Sequence, residues 1–407
     1  MSGPARVTHA STRAAVLDLI RAAGMISRVG LVNATGLTGG TISTVVRGLL
    51  DEGLVAETGH AESTGGKRRV MLQLNHFARY AVGVHLDDAR ITYVLTNLGG
   101  AVVARISRAG SGTDEPAAVV ARMAREVGAL IESVGVERDR ILGLGLVSAR
   151  PSAHDSFARE VELATGLPVV LDDDATAAAI GEHWSGGVGA TSTFAAIYMG
   201  TGLGAGVVLG GATHRGPSGH AGSIGHTCLD VDGPRCWCGG SGCLEVLAGP
   251  AAVVAQARAD RSLSRAAGLV GGRTRGVAPV AADFAAISRA ARQGNARALA
   301  LLERSARYIA VAARSLANVL DLEVLVLTGP SFAIAGSVYL PVLRAELDSA
   351  FIARDAHPVS VRLSASAASA PAIGAAAIVL QSELVPRRQA LRLPDDLAAD
   401  EPPVFVR

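Results

Sequence analysis

The four cysteines of this 407-residue chain all lie in the segment 225–245, which reads GHTCLDVDGPRCWCGGSGCLE. One imidazole and three thiols at this spacing suit a tetrahedral Zn²⁺ ion, which prefers sulfur and nitrogen ligands. Glycines at 239, 240 and 242 allow the backbone to fold around an ion. A structural disulfide is the alternative, but no feature of the chain indicates secretion. The segment predicts a zinc site with the ligands His226, Cys236, Cys238 and Cys243.

The same segment carries a longer pattern. Gly225-His226 is followed by the run C-x-C-G-x-x-G-C-x-E, from Cys236 to Glu245, and the whole resembles the zinc signature of the ROK family of repressors, open reading frames and sugar kinases. In such a site we expect the zinc to be structural. Cys228 lies outside the predicted ligand set. We expect it to be a packed thiol, and a ligand that exchanges with His226 is the alternative.

Composition limits the fold class and the location of the protein. Hydrophobic residues make up 49% of the chain, enough for a sizeable core, and the length favours two or three domains. The formal net charge of +2 says little about partners. No uncharged apolar run reaches the roughly 20 residues of a membrane span, and the N-terminus lacks a signal-peptide core. We expect a cytoplasmic protein with reduced thiols and no membrane contact.

The first 75 residues have the pattern of a small DNA-binding domain. Apolar residues recur at helical spacing in 12–23 and 38–51, and Ser27 can cap a helix between them that ends near Ala34. Two helices joined by a short turn containing Gly36 form a helix-turn-helix. Short strands at 53–55 and 70–72 flank a basic loop, so residues 1–75 are predicted to form a winged helix-turn-helix domain.

Polar and basic side chains of this unit predict binding to double-stranded DNA. Short polar groups on a helix can approach base edges and phosphates, and a basic wing lies along the backbone or in the minor groove. Residues 1–75 contain eight basic and five acidic residues. A domain that mediates protein contact or dimerisation is the alternative. The predicted DNA-binding residues are Thr38, Thr41, Ser43, Thr44 and Arg47 on the third helix, with Lys67, Arg68 and Arg69 in the wing.

Beyond the first domain the pattern changes to strands, helices and strands again. Residues 81–105 alternate as a β-meander should, 117–134 predicts a helix, and 141–147 predicts a buried strand. This order fits the two-lobed actin-like (ribonuclease H-like) ATPase-type fold that the ROK family uses, an α/β architecture. The predicted boundaries are 76–190 for lobe 1, 191–385 for lobe 2, 372–382 for a final helix packing back on lobe 1, and 386–407 for a disordered tail.

The phosphate-binding loop of the family's sugar kinases is altered in this chain. Those kinases use an Asp-x-Gly-Gly-Thr loop whose backbone N–H groups cradle phosphate. The equivalent stretch is His85-Leu86-Asp87-Asp88-Ala89, which lacks the leading aspartate and both glycines, and its carboxylates would repel a nucleotide. Residues 200–206 resemble the second phosphate loop, but without the first loop a tight hairpin is the favoured interpretation. The chain is predicted not to be an enzyme.

The resemblance also implies a sugar pocket that is partly retained. The family's Asn-Asp pair, with its general-base aspartate, falls on Asp173 and Asp174, although helix capping and the helix dipole explain these acidic residues equally well. Ser223 replaces the glutamate of the Gly-Glu-x-Gly-His segment. The family's sugar-contacting loop cannot be placed in the short connection 148–162. Arg215 is interpreted as a solvated surface residue, and contact with an anionic or phosphorylated ligand is the alternative. The predicted ligand-binding residues are Asp173, Asp174, Ser223, His226 and Glu245.

Together these patterns predict a ROK-family transcriptional regulator, most simply a repressor of carbohydrate-related genes. The expected partners are a DNA operator and a sugar or sugar derivative, with a homodimer or dimer of dimers reading palindromic half-sites. Two alternatives stay open: a sugar kinase with an appended DNA-binding head, and a ligand-independent regulator with a vestigial sugar pocket.

Overall fold

Three sheets organise the computed structural model, which describes residues 9–60, 70–112, 114–149, 155–185, 188, 192–269 and 279–384. A three-stranded sheet belongs to the head (residues 9–74), and two five-stranded sheets form lobe 1 (80–173) and lobe 2 (194–363). The fold is α/β: a winged helix-turn-helix followed by a two-lobed actin-like domain, as the sequence predicts. In the part of the chain that is described, no helix combines the length and apolarity needed to cross a membrane.

Local capping signals define the helices of the head. Ser27 accepts a hydrogen bond from the Gly30 N–H at 3.1 Å and starts the second helix, and Gly36 ends it with a left-handed φ of 67°. The strands pair antiparallel in the order β1-β3-β2. Residues 61–69, which include the predicted wing residues Lys67, Arg68 and Arg69, lie outside the described residues. The elements are α1 His9–Ala23, β1 Met25–Ser27, α2 Arg28–Thr35, α3 Gly39–Asp51, β2 Val55–His60 and β3 Val70–Leu74.

Lobe 1 is a five-stranded sheet in the order β6-β5-β4-β7-β8, followed by a helix that leads towards lobe 2. Its first three strands form an antiparallel meander, and the last two run parallel to β4. The sequence predicts only a short connection over 148–162, whereas residues 155–165 form a helix that buries Val161. The elements are β4 Tyr80–His85, β5 Arg90–Asn97, β6 Val102–Ala109, α4 Pro116–Val134, β7 Ile141–Ser148, α5 Asp155–Thr165, β8 Val169–Asp173 and α6 Asp174–Ser185.

Lobe 2 repeats the arrangement, with the strand order β11-β10-β9-β12-β13 and a thick helical layer. Strands β9, β10 and β11 are antiparallel, and β12 runs parallel to both β9 and β13. The sequence prediction has no counterpart for four of these elements, β11, α7, α12 and β13. The elements are β9 Phe194–Met199, β10 Leu203–Leu209, β11 Ala212–His214, α7 Leu244–Ala248, α8 Pro250–Ala259, α9 Arg261–Ala266, α10 Pro279–Arg292, α11 Ala296–Leu320, β12 Val324–Thr328, α12 Pro330–Ala350, β13 Ser360–Leu363 and α13 Ala370–Leu384.

Helix α13 returns to lobe 1 and lies directly on its strands. A β-carbon at Gly83 or at Gly145 would overlap a carbonyl oxygen of α13, so glycine is needed for this close approach. On its other side α13 crosses α6, where a β-carbon at Gly374 would overlap the Ala177 carbonyl oxygen. The small residues therefore bring two helices and two strands into backbone contact at the centre of the molecule.

The head shares an apolar core with lobe 1. Leu17 and Ile20 of α1 are fully buried in one cluster with Ala376 and Leu380 of α13. The connecting segment is also tied to the body, because the Leu98 N–H donates to the carbonyl oxygen of His76 at 2.9 Å. The head is thus packed against the body through a continuous interior.

Candidate functional site

Four ligand atoms converge in the loop that precedes α7. One nitrogen of His226 and the Sγ atoms of Cys236, Cys238 and Cys243 all lie within 4.8 Å of one another. The Cys236 Sγ is 3.6 Å from the His226 Nδ1, and the Sγ atoms of Cys238 and Cys243 are also 3.6 Å apart. A tetrahedral ion with Zn–S bonds of about 2.3 Å holds its sulfur ligands about 3.8 Å apart. The cluster has the size and donor set of a zinc site.

The backbone of the loop fixes these side chains. The Cys236 N–H donates to the Gly240 carbonyl oxygen at 2.8 Å, and Gly242 has a φ of 60° with its Cα against the backbone of Asp230. Burial raises the pKa of the Cys243 thiol to about 12, so a thiolate at this position needs a cation beside it. Cys228 lies outside the four-residue cluster and is exposed, so the expectation that it is a packed thiol is wrong.

Asp172, Asp173 and Asp174 lie where β8 ends and α6 begins, and each of the three has different contacts. Asp172 forms an ion pair with Arg215 at 2.5 Å, so this arginine is not merely the solvated surface residue that the sequence indicated. The Asp173 Oδ1 accepts from the Thr176 N–H at 2.8 Å and caps α6. Burial raises the pKa of Asp173 to about 6; hydrogen bonds from Thr176 oppose this shift, and the neighbouring aspartates add to it.

Asp174 faces two residues that sequence reasoning did not assign to the pocket. The His85 Nε2 lies 3.7 Å from the Asp174 Oδ2 and 3.4 Å from the Tyr198 hydroxyl. Burial, followed by the charges of Asp174 and Asp87, raises the pKa of Tyr198 well above its usual range. The only sequence signal for Tyr198 is a phenol in the otherwise apolar strand β9. Because His85 lies on β4 and Tyr198 on β9, this polar contact joins the two lobes.

The carboxylate of Asp87 contacts the glycine segment 200–206 across the two lobes. The Asp87 Oδ1 accepts from the Ala89 N–H at 2.8 Å, and its Oδ2 accepts from the Thr201 hydroxyl at 3.5 Å. Thr201 belongs to the glycine segment 200–206, so the altered first loop is bonded directly to the second. An anionic phosphate would meet this carboxylate instead of free N–H donors.

Glu245 links the glycine segment 200–206 to the loop that carries the cysteine cluster. Its Oε2 accepts from the Leu203 N–H at 2.8 Å, and burial raises its pKa to about 7, an effect that this hydrogen bond partly offsets. Ser223 is exposed and donates to the carbonyl oxygen of His220 at 2.9 Å, so its hydroxyl is engaged locally. The structure therefore places Glu245 beside Leu203 and beside Gly225, the residue that precedes His226, and leaves Ser223 exposed.

The outer face of α3 carries the predicted DNA-binding side chains, all of which are exposed. Thr38 is the N-cap, and its Oγ1 accepts from the Thr41 N–H at 3.3 Å and lies 2.9 Å from the Thr41 hydroxyl. The Thr44 hydroxyl donates to the Gly40 carbonyl oxygen at 3.1 Å. The opposite face buries the apolar core of the head, so the polar face is free to meet a partner. The exposed residues are Thr38, Thr41, Ser43, Thr44 and Arg47.

The sequence profile of the ROK family matches residues 146–382, more than half of the chain. The chain belongs to the ROK family. The matched residues include the aspartate run, the glycine segment, the metal cluster and α13.

Curated members of the ROK family similar to this chain include repressors and kinases. The chain is 32% identical over 244 residues to a putative xylose repressor of Caldicellulosiruptor sp. (strain Rt8B.4), covering 56% of this chain and 61% of that protein. It is 30% identical over 243 residues to the xylose repressor of Bacillus subtilis, covering 63% of that protein. It is 36% identical over 181 residues to an N-acetylmannosamine kinase of Escherichia fergusonii, covering 56% of it. The matches thus span less than two thirds of these relatives.

Solved structures of ROK proteins share the fold. A ROK family transcriptional regulator, described as a homolog of the E. coli MLC protein, superposes with a TM-score of 0.70 at 24% identity and covers 93% of this chain and 98% of its own. A ROK family glucokinase from Streptomyces griseus, in complex with glucose and AMPPNP, gives 0.59 at 25% identity and covers 74% of this chain and 98% of its own.

Proposed function

We propose that this chain is a DNA-binding transcriptional repressor of carbohydrate-related genes, whose ROK domain binds a sugar effector around a structural zinc ion. The observation that carries the proposal is the exposed polar face of α3 on a helix-turn-helix that shares its core with the ROK domain. The similarity to xylose repressors supports it. We further propose domain boundaries after residues 75 and 190, and DNA contacts from Lys67, Arg68 and Arg69, which lie outside the described residues.

Selection of genomic or random DNA fragments by the purified protein tests the DNA-binding function. We expect an enriched palindrome whose affinity falls steeply with salt, because basic side chains displace counterions from phosphates. Arg47→Ala on α3 should weaken binding to the selected fragment, whereas Arg289→Ala on lobe 2 should not. If no sequence is enriched at low salt, the head has another role.

The effector is proposed to be a sugar or sugar derivative bound near Asp174, His226 and Glu245. Suitable probes are D-xylose, D-glucose and N-acetyl-D-mannosamine, tested for release of the selected DNA fragment. One sugar that changes operator affinity by about 5-fold or more would establish the effector class. Unchanged affinity across this panel and across sugar phosphates would favour a ligand-independent regulator.

The metal is proposed to be zinc, held by His226, Cys236, Cys238 and Cys243. Such an ion would cross-link the loop, and structural zinc of this type contributes on the order of 10 kcal/mol in apparent binding free energy. Elemental analysis of the purified protein should find about one zinc per chain, and Cys236→Ser should lose it. The matched variant Cys228→Ser should keep the zinc; if it loses the metal while Cys236→Ser retains it, the assigned ligand set is wrong.

A sugar kinase is the second candidate, since the glycine segment 200–206 is retained and ROK relatives include kinases. The Asp87–Thr201 hydrogen bond in place of a phosphate cradle speaks against it. Coupled ATP hydrolysis with the same sugars should show no turnover. Turnover that Asp174→Asn abolishes would instead establish the kinase.

A homodimer, or a dimer of dimers, is proposed as the form that reads a palindrome, because two-fold symmetry pairs identical heads with identical half-sites. Sedimentation equilibrium of the protein alone and with the selected fragment should give an even number of chains. A single chain per fragment would contradict this form.

A further inference from the structure

Helix α6 has its two ends in two different sites. It begins at Asp174, beside the capping residue Asp173, in the pocket that we assign to the effector. Ten residues later, about 15 Å along the helix axis, Trp184 lies against the head. One continuous helix therefore spans the distance between the ligand pocket and the DNA-binding head.

The far end of α6 contacts the head through a cation–π pair. The Arg21 guanidinium of α1 lies 4.1 Å from the centroid of the Trp184 ring, and an ion pair with Asp18 at 2.9 Å orients it. Trp184 is 7% exposed, and Gly100 also lies against the indole, where a β-carbon would overlap the ring. Partly desolvated pairs of this kind are stronger than exposed ones. The indole is thus held between lobe 1 and the head.

The first turn of α6 is in backbone contact with β10 and with α13. A β-carbon at Gly206 of β10 would overlap the Ala175 carbonyl oxygen, and one at Gly374 of α13 would overlap that of Ala177. No flexible side chain lies between these backbones to absorb a displacement. A shift of the lobe 2 sheet against lobe 1 must therefore move α6.

A cavity lies between the head and lobe 1 towards the other end of α1. A cavity of about 190 Å³ lies between Arg13, Leu17 and Glu52 of the head and Leu98 and Leu142 of lobe 1. In addition, the buried Trp184 Nε1 has no hydrogen-bond acceptor among the described residues, so opening of this contact would relieve an unpaired donor. The head therefore contacts Trp184 of α6 through Arg21, and a cavity separates it from lobe 1 near Arg13.

We infer that α6 couples the lobes to the head. A displacement of the start of α6, at Asp174 or where Gly206 of β10 packs against it, is transmitted to α1 through the Trp184–Arg21 contact. As regulation of the DNA-binding function, this inference rests on the proposed function. As a mechanical link, it can be tested without DNA or ligand. It makes Arg21 a positioning residue that touches neither effector nor operator.

The first experiment applies the displacement by mutation. Gly206→Ala pushes β10 against Ala175 and Ala179 of α6. In a Trp237→Phe background Trp184 is the sole tryptophan, since the chain contains two. We expect Gly206→Ala to shift the Trp184 emission and to accelerate hydrogen exchange of the α1 amides. Adding Arg21→Met, which keeps the aliphatic stem but removes the cation, should cancel the effect on α1, and Arg21→Lys should partly restore it.

A control variant and a milder variant accompany this experiment. Gly128→Ala, in α4 with open space around it, should leave Trp184 and α1 unchanged. If Gly206→Ala fails to fold by circular dichroism, Gly204→Ala applies a milder push, with a single contact at 2.9 Å to the Ala175 side chain. A folded variant of either kind whose Trp184 emission and α1 exchange match the parent overturns the inference.

The second experiment uses the selected DNA fragment with D-xylose, D-glucose and N-acetyl-D-mannosamine. Where the wild type changes its DNA affinity by about 5-fold or more with one of these sugars, Arg21→Met should reduce the change to less than about 2-fold while sugar binding is kept. Arg28→Met, which removes a head cation paired with Glu57 instead, should retain the response. An equal response in Arg21→Met overturns the coupling. A wild type that binds no DNA contradicts the proposed function alone, and the first experiment then decides the inference.

Discussion

At the scale of single residues, neighbouring carboxyls with the same chemistry are differentiated by their contacts. Asp172 pairs with Arg215, Asp173 caps α6 while buried, and Asp174 faces His85. The same principle separates Asp87, which is bonded to Thr201 across the cleft, from an ordinary surface carboxylate. This one side chain forms a hydrogen bond between the two lobes.

The raised pKa of Asp173 gives a signed pH prediction. With a pKa of about 6 in the folded state against 3.8 ordinarily, the folded protein retains a proton that the unfolded chain has lost, so the free energy of unfolding falls as pH rises through about 4 to 6. Asp173→Asn keeps a capping oxygen and removes the buried charge. Urea unfolding should show the variant more stable than wild type by about 1–3 kcal/mol at pH 8 and equal near pH 4.

The exposed Asp139→Asn serves as the matched control for Asp173→Asn. It should change the free energy of unfolding by the same small amount at both pH values. A stability difference for Asp173→Asn that is independent of pH would show that burial of the charge is not the cause.

At the scale of elements, the small residues decide which helices meet, and the caps decide where they begin. Because Gly374 has no side chain, α13 can cross α6 in backbone contact. Thr38 is the N-cap of α3 and is also exposed on its outer face. Substitutions at such positions report on packing or capping separately from any contact with a ligand.

Gly374→Ala should be strongly destabilising, since its β-carbon would overlap the Ala177 carbonyl oxygen and force α6 and α13 apart. We expect a loss of about 3 kcal/mol or more in urea unfolding, within the range of overpacked cores. Gly128→Ala, with nothing near its β-carbon, should instead be neutral or stabilise by about 0.5–1 kcal/mol through helix propensity. Equal stability of the two variants would show that the crossing is not tight.

Thr38→Ala and Thr44→Ala separate capping from DNA contact on α3. Loss of the Thr38 cap should cost about 1 kcal/mol of stability. Loss of the exposed Thr44 hydroxyl, whose one hydrogen bond among the described residues is to Gly40 in its own helix, should cost less than about 0.5 kcal/mol. Both variants should weaken binding to the selected DNA fragment. If Thr44→Ala binds as the wild type does, the outer face of α3 does not read DNA at this position.

At the scale of the whole molecule, one apolar cluster spans the head and lobe 1, so we expect them to unfold as one cooperative unit. Ile20 of the head and Leu380 of α13 are both fully buried within it. A change in the body can therefore reach the head without a flexible linker between them.

Ile20→Ala should destabilise lobe 1 as well as the head. Removal of a fully buried isoleucine costs about 2–5 kcal/mol, and the denaturation midpoint followed at Trp184 in the Trp237→Phe protein should fall accordingly. Val319→Ala, at a residue that is 80% exposed on α11, should stay within about 0.5 kcal/mol of the parent. An unchanged midpoint in Ile20→Ala would mean that the head unfolds on its own.

The sequence by itself determined what depends on neighbours in the chain. His226 and the three clustered cysteines lie within residues 226–243, so their spacing in the sequence predicts a group that could hold a metal ion. Ser27 and Gly36 predict helix ends because capping residues act on the adjacent backbone. By contrast, α12 is apolar around most of its surface and contains Pro341, and β13 is four residues long, so neither shows a periodic signal.

Only the tertiary structure decided which distant residues meet. Asp87 and Thr201 are 114 positions apart, and Arg21 and Trp184 are brought together from different domains. No local pattern records such pairs, because they arise when the glycine contacts of α13 and the apolar core of α1 fix the lobes and the head against one another. The carboxylates of residues 85–89 are visible in the sequence, but the interlobe hydrogen bond of Asp87 depends on the packing of both sheets.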